Sequence, residues 1–251
     1  MPVEPPPSRW LIPSPDRTDV EGLIGVGADL EPGTVLAAYR AGAFPMPVDG
    51  VLAWFSPDPR AVLPLRPVGE AGPIEGSGGV EGSGAAAGSG TSHPPALSRT
   101  LRRARRRFEI RVDTAFADVV AGCADPRRPG GWITPEMTRM YGRLHELGWA
   151  HSVEAWTPDG RLAGGLFGIA VGGLFAAESM FSARTDGSKA AVVGLIELLG
   201  AEPDAVHRVV DVQWSSAHLQ TLGVMEVPRA AYLESIRRAV TLPHPSALAR
   251  A

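Results

Sequence analysis

Three apolar runs lie close together at residues 151–156, 161–170 and 174–181, parted by Pro158-Asp159-Gly160 and Gly172-Gly173. Short apolar runs bounded by turn residues read as strands, and three in succession read as a meander. That block puts a sheet at the centre of the fold. At 251 residues the chain is long enough to bury a real core around it, as one large domain or two small ones.

Helices and further strands surround this block. Residues 29–42 predict a short helix with Pro32 in its first turn and Gly42 as its stop. Residues 1–20 and the proline-rich stretches at 43–47 and 54–60 predict irregular structure, and residues 61–65 a short strand. Ser98 can cap a helix running to Arg107, residues 108–112 alternate like a strand, and residues 114–123 look helical. Thr134 as N-cap, Pro135 at the first position and Gly148 as stop define a firm helix. Residues 188–199 form a strongly apolar helix, 208–214 a buried strand, and 216–222 and 229–240 two more helices. The expected class is α+β, or mixed α/β, around a central mixed sheet. Residues 68–96 stand apart: nine glycines with Ser, Ala and Glu, and no aromatic residue, Lys or Arg. Such a segment cannot offset its ordering entropy by apolar burial and reads as a flexible loop or linker. The expected organisation is a small N-terminal domain over 1–67, the linker over 68–96, and a second domain over 97–251.

Several function classes drop out. A net charge of −3 excludes a bulk-basic nucleic-acid binder but leaves room for a basic patch. One cysteine, Cys123, excludes an intrachain disulfide and a cysteine-rich zinc site, and the six histidines lack metal-ligand spacing, so no metal is expected. No apolar run is long enough for a membrane span, and Met1-Pro-Val-Glu-Pro-Pro-Pro is no signal peptide, so the expected address is the cytoplasm. The phosphate loop, HExxH, CxxC and GxSxG motifs are all missing.

What remains is a set of polar residues in apolar runs. Asp211 and Gln213 fall on one face of a strand if its period of two holds. They are either a satisfied structural pair or a polar dyad facing a substrate. Glu178, in an equally apolar strand, is either paired or lines a cleft. Lys189, the only lysine, opens a helix, where an acid is favoured; it should have an anion or backbone partner. Trp54, Phe55, Trp132 and Tyr141 are core residues or base-stacking ones. Arg99, Arg102, Arg103 and Arg106 make one stripe of a helix, either solvated or phosphate-binding.

In this order the motifs resemble the bacterial leucyl/phenylalanyl-tRNA–protein transferases. The landmarks are Gly22-Leu-Ile-Gly-Val-Gly-Ala-Asp29, Ala38-Tyr39-Arg-Ala-Gly42-Ala-Phe44-Pro45, Trp54-Phe-Ser-Pro-Asp58-Pro-Arg60, Trp132-Ile-Thr134, residues 141–148 (YGRLHELG), His151-Ser-Val-Glu154, Gly164-Gly165, Glu178-Ser-Met-Phe-Ser182, Ser188-Lys189 and Asp211-Val-Gln213. The resemblance implies a small N-terminal domain packed on a GNAT-like acyltransferase domain. It implies transfer of Leu or Phe, less well Met, from aminoacyl-tRNA to the α-amino group of proteins beginning with Arg or Lys, which marks them for degradation. No cofactor is implied, since the tRNA ester drives the reaction. Asp211 and Gln213 would be the catalytic pair, Gln213 by positioning and oxyanion support, and Asp211 by orienting the network or moving a proton. Leu166, Phe175, Glu178, Ser179, Met180, Val192, Leu195 and Val210 would form the donor side-chain pocket. Tyr39, Trp132 and Tyr141 would meet the terminal adenosine and aminoacyl group, and the arginine stripe the tRNA phosphates. Glu154 and Glu178 are candidates for the site that takes the acceptor's cationic end.

Two departures stand out. Met46 and Phe55 occupy positions where the family commonly has tryptophan, which implies a thinner aromatic wall. Two other readings compete. One is a CoA-dependent acyltransferase, for which the Arg161-Leu-Ala-Gly164-Gly165 stretch would have to open a helix. The other is a non-catalytic RNA-binding module.

Overall fold

The computed structural model describes residues 1–65, 101, 103, 105–128 and 130–249. The linker reading at 68–96, Arg99 and Arg102 lie outside the described residues. Of the helix expected from Ser98, Leu101, Arg103 and Arg105 are helical, and a turn follows at Arg106.

Two sheets organise the chain. The smaller has strand order β1-β3-β2, from β1 (Leu23–Val26), β2 (Phe44–Val48) and β3 (Val51–Phe55), all antiparallel. The irregular structure expected at 43–47 is therefore replaced by a strand, and the reason is parity. Pro45 and Pro47 are two residues apart on an edge strand, so both missing N–H groups fall on its unpaired side. The helix α1 (Pro32–Arg40) packs beside this sheet, with Val35, Leu36, Ala38 and Tyr39 buried.

The larger sheet has seven strands in the order β10-β4-β9-β8-β7-β6-β5. They are β4 (Arg60–Leu63), β5 (Glu109–Val112), β6 (Ala150–Trp156), β7 (Leu162–Val171), β8 (Leu174–Ser182), β9 (Val209–Gln213) and β10 (Met225–Val227). The expected meander is β6-β7-β8. Strand β4 belongs to the segment assigned to the N-terminal domain, yet it pairs into this sheet between β9 and β10. Every pairing is antiparallel except β8 with β9.

Helices cover both faces. On one, α2 (Phe116–Cys123) and α3 (Pro135–Glu146) join α1 in a core with Phe167, Ile169 and Ala176. The Thr134 side chain accepts from Met137 N, capping α3 as its sequence predicts. On the other face lies α4 (Gly187–Gly200), whose Ala191, Val192, Leu195 and Leu199 pack against Val153, Leu166, Phe175 and Val210. Helix α4 approaches so closely that a Cβ on Gly164 would stand 2.8 Å from Gly187 C and 2.6 Å from Phe181 O. Gly164 and Gly165 thus lie inside β7 for close packing, not at a helix-opening turn. That removes the structural basis of the CoA reading. The short α5 (Ala217–Gln220) and α6 (Arg229–Ala239) complete the chain. Among the described residues no helix is long and apolar enough to cross a membrane.

Candidate active site

The parallel pair β8–β9 holds together for only three residue pairs, ending at Ala176 opposite Asp211. Beyond that point the strands part, and each carries a bulge. On β8, Ala177 and Ser179 face Gly168 and Phe167, leaving Glu178 as the extra residue. On β9, Asp211 and Gln213 face Val62 and Ala61, leaving Val212 over. Bulges re-aim side chains, and these two do so at the mouth of a cavity.

The cavity measures about 260 Å³ and is mainly apolar. Leu166, Glu178, Ser179, Met180, Val192, Leu195 and Val210 line it, seven of the eight residues expected of a donor pocket. Phe175 does not. It sits deeper on β8, in the stretch still paired with β9, with its ring against Gly168. Arg128, Gln213, Ser216 and His218 complete the polar part of the wall.

Glu178 is the only carboxylate among the described lining residues. The Tyr39 hydroxyl donates to Oε1 at 2.7 Å and the Tyr141 hydroxyl to Oε2 at 2.8 Å. Enclosure pushes the carboxyl up to about 7; the two hydroxyls pull it back, and nearby Asp211 adds to the rise. Burial and the same carboxylate hold both phenols well above their usual range, so they stay donors. Tyr39 and Tyr141 are 1% and 0% exposed, which leaves neither ring open to stack a base. They reach the cavity through Glu178. Trp132 is half-buried against the α1–α3 layer, and Trp54 is core, donating to Gly27 O at 2.9 Å.

Asp211 and Gln213 do not share a face. Gln213 lies at φ +61° and turns into the cavity, whereas Asp211 faces the opposite layer. Four donors meet the Asp211 carboxylate. Arg60 Nε and Gln213 N donate to Oδ1 at 2.8 and 2.9 Å; Arg60 Nη2 and the Tyr232 hydroxyl donate to Oδ2 at 2.6 and 2.9 Å. Arg60 is fully buried between the rings of Phe44 and Tyr232, with its Cζ 4.6 and 4.5 Å from their centroids. Burial works against its charge, and Asp211 more than restores it.

The Gln213 amide is satisfied in one orientation, in which Nε2 donates to Val212 O at 3.0 Å and to Ala177 O at 3.1 Å. It braces β9 to β8 across the gap. In that orientation both amide hydrogens are engaged by backbone carbonyls. Its other end, Oε1, is an acceptor.

The remaining candidates separate. Glu154 is buried and accepts from Ala115 N at 3.0 Å, Ser152 Oγ at 2.7 Å, Trp156 Nε1 at 3.2 Å and the Thr114 hydroxyl. It is closed to an acceptor's cationic end. Lys189 finds the anion its position calls for, Asp186, at 3.4 Å. Arg103 and Arg106 are exposed, while Arg105 and Arg107 pair with Glu197 and Asp186. Sequence reasoning assigned no role to Arg60, Tyr232, Arg128 or His218. The first lay inside a quoted motif, but only the fold brings it to Asp211, 151 residues away.

Comparison with known proteins gives this arrangement its class. A family model described as leucyl/phenylalanyl-tRNA protein transferase matches residues 91–237, and the model of that family's N-terminal domain matches residues 28–58. A relative of that name from Aromatoleum aromaticum is 45% identical over 89% of this chain and 86% of its own length. Others from Nitratidesulfovibrio vulgaris and an Anaeromyxobacter species are 41% and 42% identical, over 95% and 94% of this chain and 91% and 90% of their own lengths. The chain is therefore an aminoacyltransferase. It belongs to the leucyl/phenylalanyl-tRNA–protein transferase family.

Proposed function

We propose that this chain moves leucine or phenylalanine, and less readily methionine, from aminoacyl-tRNA to the α-amino group of proteins beginning with Arg or Lys, marking them for degradation in the cytoplasm. The observation that carries this reading is the apolar cavity opened where β8 and β9 part, with Gln213 and Glu178 on its wall. A dry cavity of about 150 Å³ accommodates benzene, so about 260 Å³ suits a leucyl or benzyl side chain. The opening of the one parallel strand pair among the described residues supports the likeness to an acyltransferase fold.

The reaction is aminolysis of an ester. The acceptor nitrogen attacks the carbonyl carbon, the C–N bond forms, and the C–O bond to the tRNA ribose breaks. The amine gives up a proton and the departing ribose oxygen takes one. The ester supplies the driving force, so no cofactor enters. Gln213 Oε1 accepts an N–H of the attacking amine and aims its lone pair. Asp211, its oxygens holding four donors, orients Gln213 through the backbone N–H of that residue. Glu178 takes a cationic group of the substrates, held in place by Tyr39 and Tyr141. Arg103 and Arg106, with Arg99 and Arg102, meet tRNA phosphates.

The test is transfer of radiolabelled leucine or phenylalanine from charged tRNA to a peptide beginning with Arg, beside the same peptide acetylated at its N-terminus. Label on the free peptide alone is the expected result. Tight tRNA binding without label on either peptide would refute it in favour of a binding module.

A further inference from the structure

Gln213 ends β9 in the left-handed region, at φ +61°. Trp214 N donates to Val212 O at 2.8 Å and closes a three-residue turn around it. A non-glycine residue stays in this region only when its surroundings enforce it, and such residues gather at functional sites. Here the bond from Gln213 N to Asp211 Oδ1 enforces it.

The turn also sets the direction of Trp214. Its ring meets Phe44 edge-on, with centroids 4.7 Å apart at 88°, and Phe55 at 5.8 Å and 61°. Phe44 in turn covers one face of Arg60, and Tyr232 covers the other. Tyr232, Arg60, Phe44 and Trp214 form a continuous line of ring and guanidinium contacts from core to surface. Its three inner members are buried, and Trp214 is 38% exposed.

We infer that Trp214 is the stacking platform for the 3′-terminal adenine of the aminoacyl-tRNA. The inference rests on the proposed function. The ester sits on the ribose of that nucleotide, so a carbonyl held at Gln213 keeps the base within a sugar's breadth of it. The base is unpaired, and an exposed aromatic ring one residue along the chain from Gln213 offers it a π-face. Trp214 is the next residue in the chain, and its backbone is locked by the same turn that aims the amide. Met46 and Phe55 thin the aromatic wall on β2 and β3; Trp214 brings an indole to those strands from β9.

The experiment compares two donors, the phenylalanyl ester of adenosine and the same ester of a ribose lacking the base, in wild type, Trp214→Ala, Trp214→Phe and Trp132→Ala. Base–aromatic stacking corresponds to about 5- to 150-fold in affinity. Wild type should prefer the adenosine ester, and Trp214→Ala should lose that preference by a factor in this range, through KM. Trp214→Phe should recover much of it, with thermal melting of each variant confirming the fold. Three results would overturn the inference: a preference that survives Trp214→Ala, one that is lost in Trp132→Ala instead, or a Trp214→Ala effect confined to the acceptor peptide's KM. No transfer by wild type from either ester or from charged tRNA would sink the proposed function itself, and this inference with it.

Discussion

Replacing Arg60 with methionine should separate the two things the Arg60–Asp211 pair does. The side chain removed is fully buried and gives Asp211 two of its four hydrogen bonds. Breaking one partner of a buried pair costs about 3–5 kcal/mol, because the other charge is left uncompensated. Loss of the sandwich between Phe44 and Tyr232 adds to this. For a chain of this size each kcal/mol lowers Tm by about 2–4 °C, so Arg60→Met should melt roughly 6–20 °C lower. The double variant Arg60→Met with Asp211→Leu removes both charges and fills much of the same volume. It should regain most of the lost stability, as apolar replacements of buried pairs do. It should not regain transfer, because Gln213 N no longer has Asp211 Oδ1 to hold its turn. Chemical denaturation and single-turnover transfer on the four proteins of the cycle read both quantities. An Arg60→Met variant within 1 kcal/mol of wild type would refute the energetic argument. A stable double variant with wild-type turnover would refute the positioning role.

Four other outcomes follow from the same structure. Glu178 has a folded-state pKa of about 7 against an ordinary 4.5, so its protonated form suits the fold and its stabilising contribution falls as pH rises between those values. Relative to Glu178→Gln, wild type should lose up to about 3 kcal/mol across that range, and a flat difference in melts at pH 4.5 and 8 would disprove it. Tyr39→Phe or Tyr141→Phe removes one donor to the carboxylate, so the pH at which transfer switches on should move upward in a pH–rate profile. Val192→Phe narrows the cavity from α4 and should lower kcat/KM for phenylalanine relative to leucine by about 10-fold or more in a competition assay. Gly164→Ala places a Cβ 2.6 Å from Phe181 O and 2.8 Å from Gly187 C, both backbone atoms that cannot yield cheaply. It should cost about 1–3 kcal/mol in urea denaturation.

Regular elements were legible wherever local chemistry and tertiary packing agreed. The β6-β7-β8 meander, the capped α3 and the apolar α4 each announce themselves through period and punctuation. The small sheet hid behind its prolines, because an edge strand tolerates Pro45 and Pro47 only through a pairing that is invisible before the sheet is known. The entry of β4 into the large sheet was equally unreadable, since nothing in Arg60-Ala-Val-Leu63 says which partner it will choose.

The candidate site shows where period-based reasoning must fail. Alternation on β9 predicts that Asp211 and Gln213 share a face, and that rule holds only for an unbroken ladder. A bulge at Val212 breaks it, and the consequences are chemical. Asp211 is turned toward Arg60 and Tyr232, where it holds a buried cation and a backbone turn. Gln213 is turned into the cavity, where its amide replaces the ladder bond that β8 and β9 can no longer make. The bulge at Glu178 does the same on the facing strand, sending a carboxylate between two tyrosines from separate helices. Both strands bulge just beyond the point where their own pairing ends, and the cavity opens there. The irregularity and the pocket are thus one structural event. Its components are recognisable in the chain as polar residues stranded in apolar runs, but the direction each one faces is decided by the sheet.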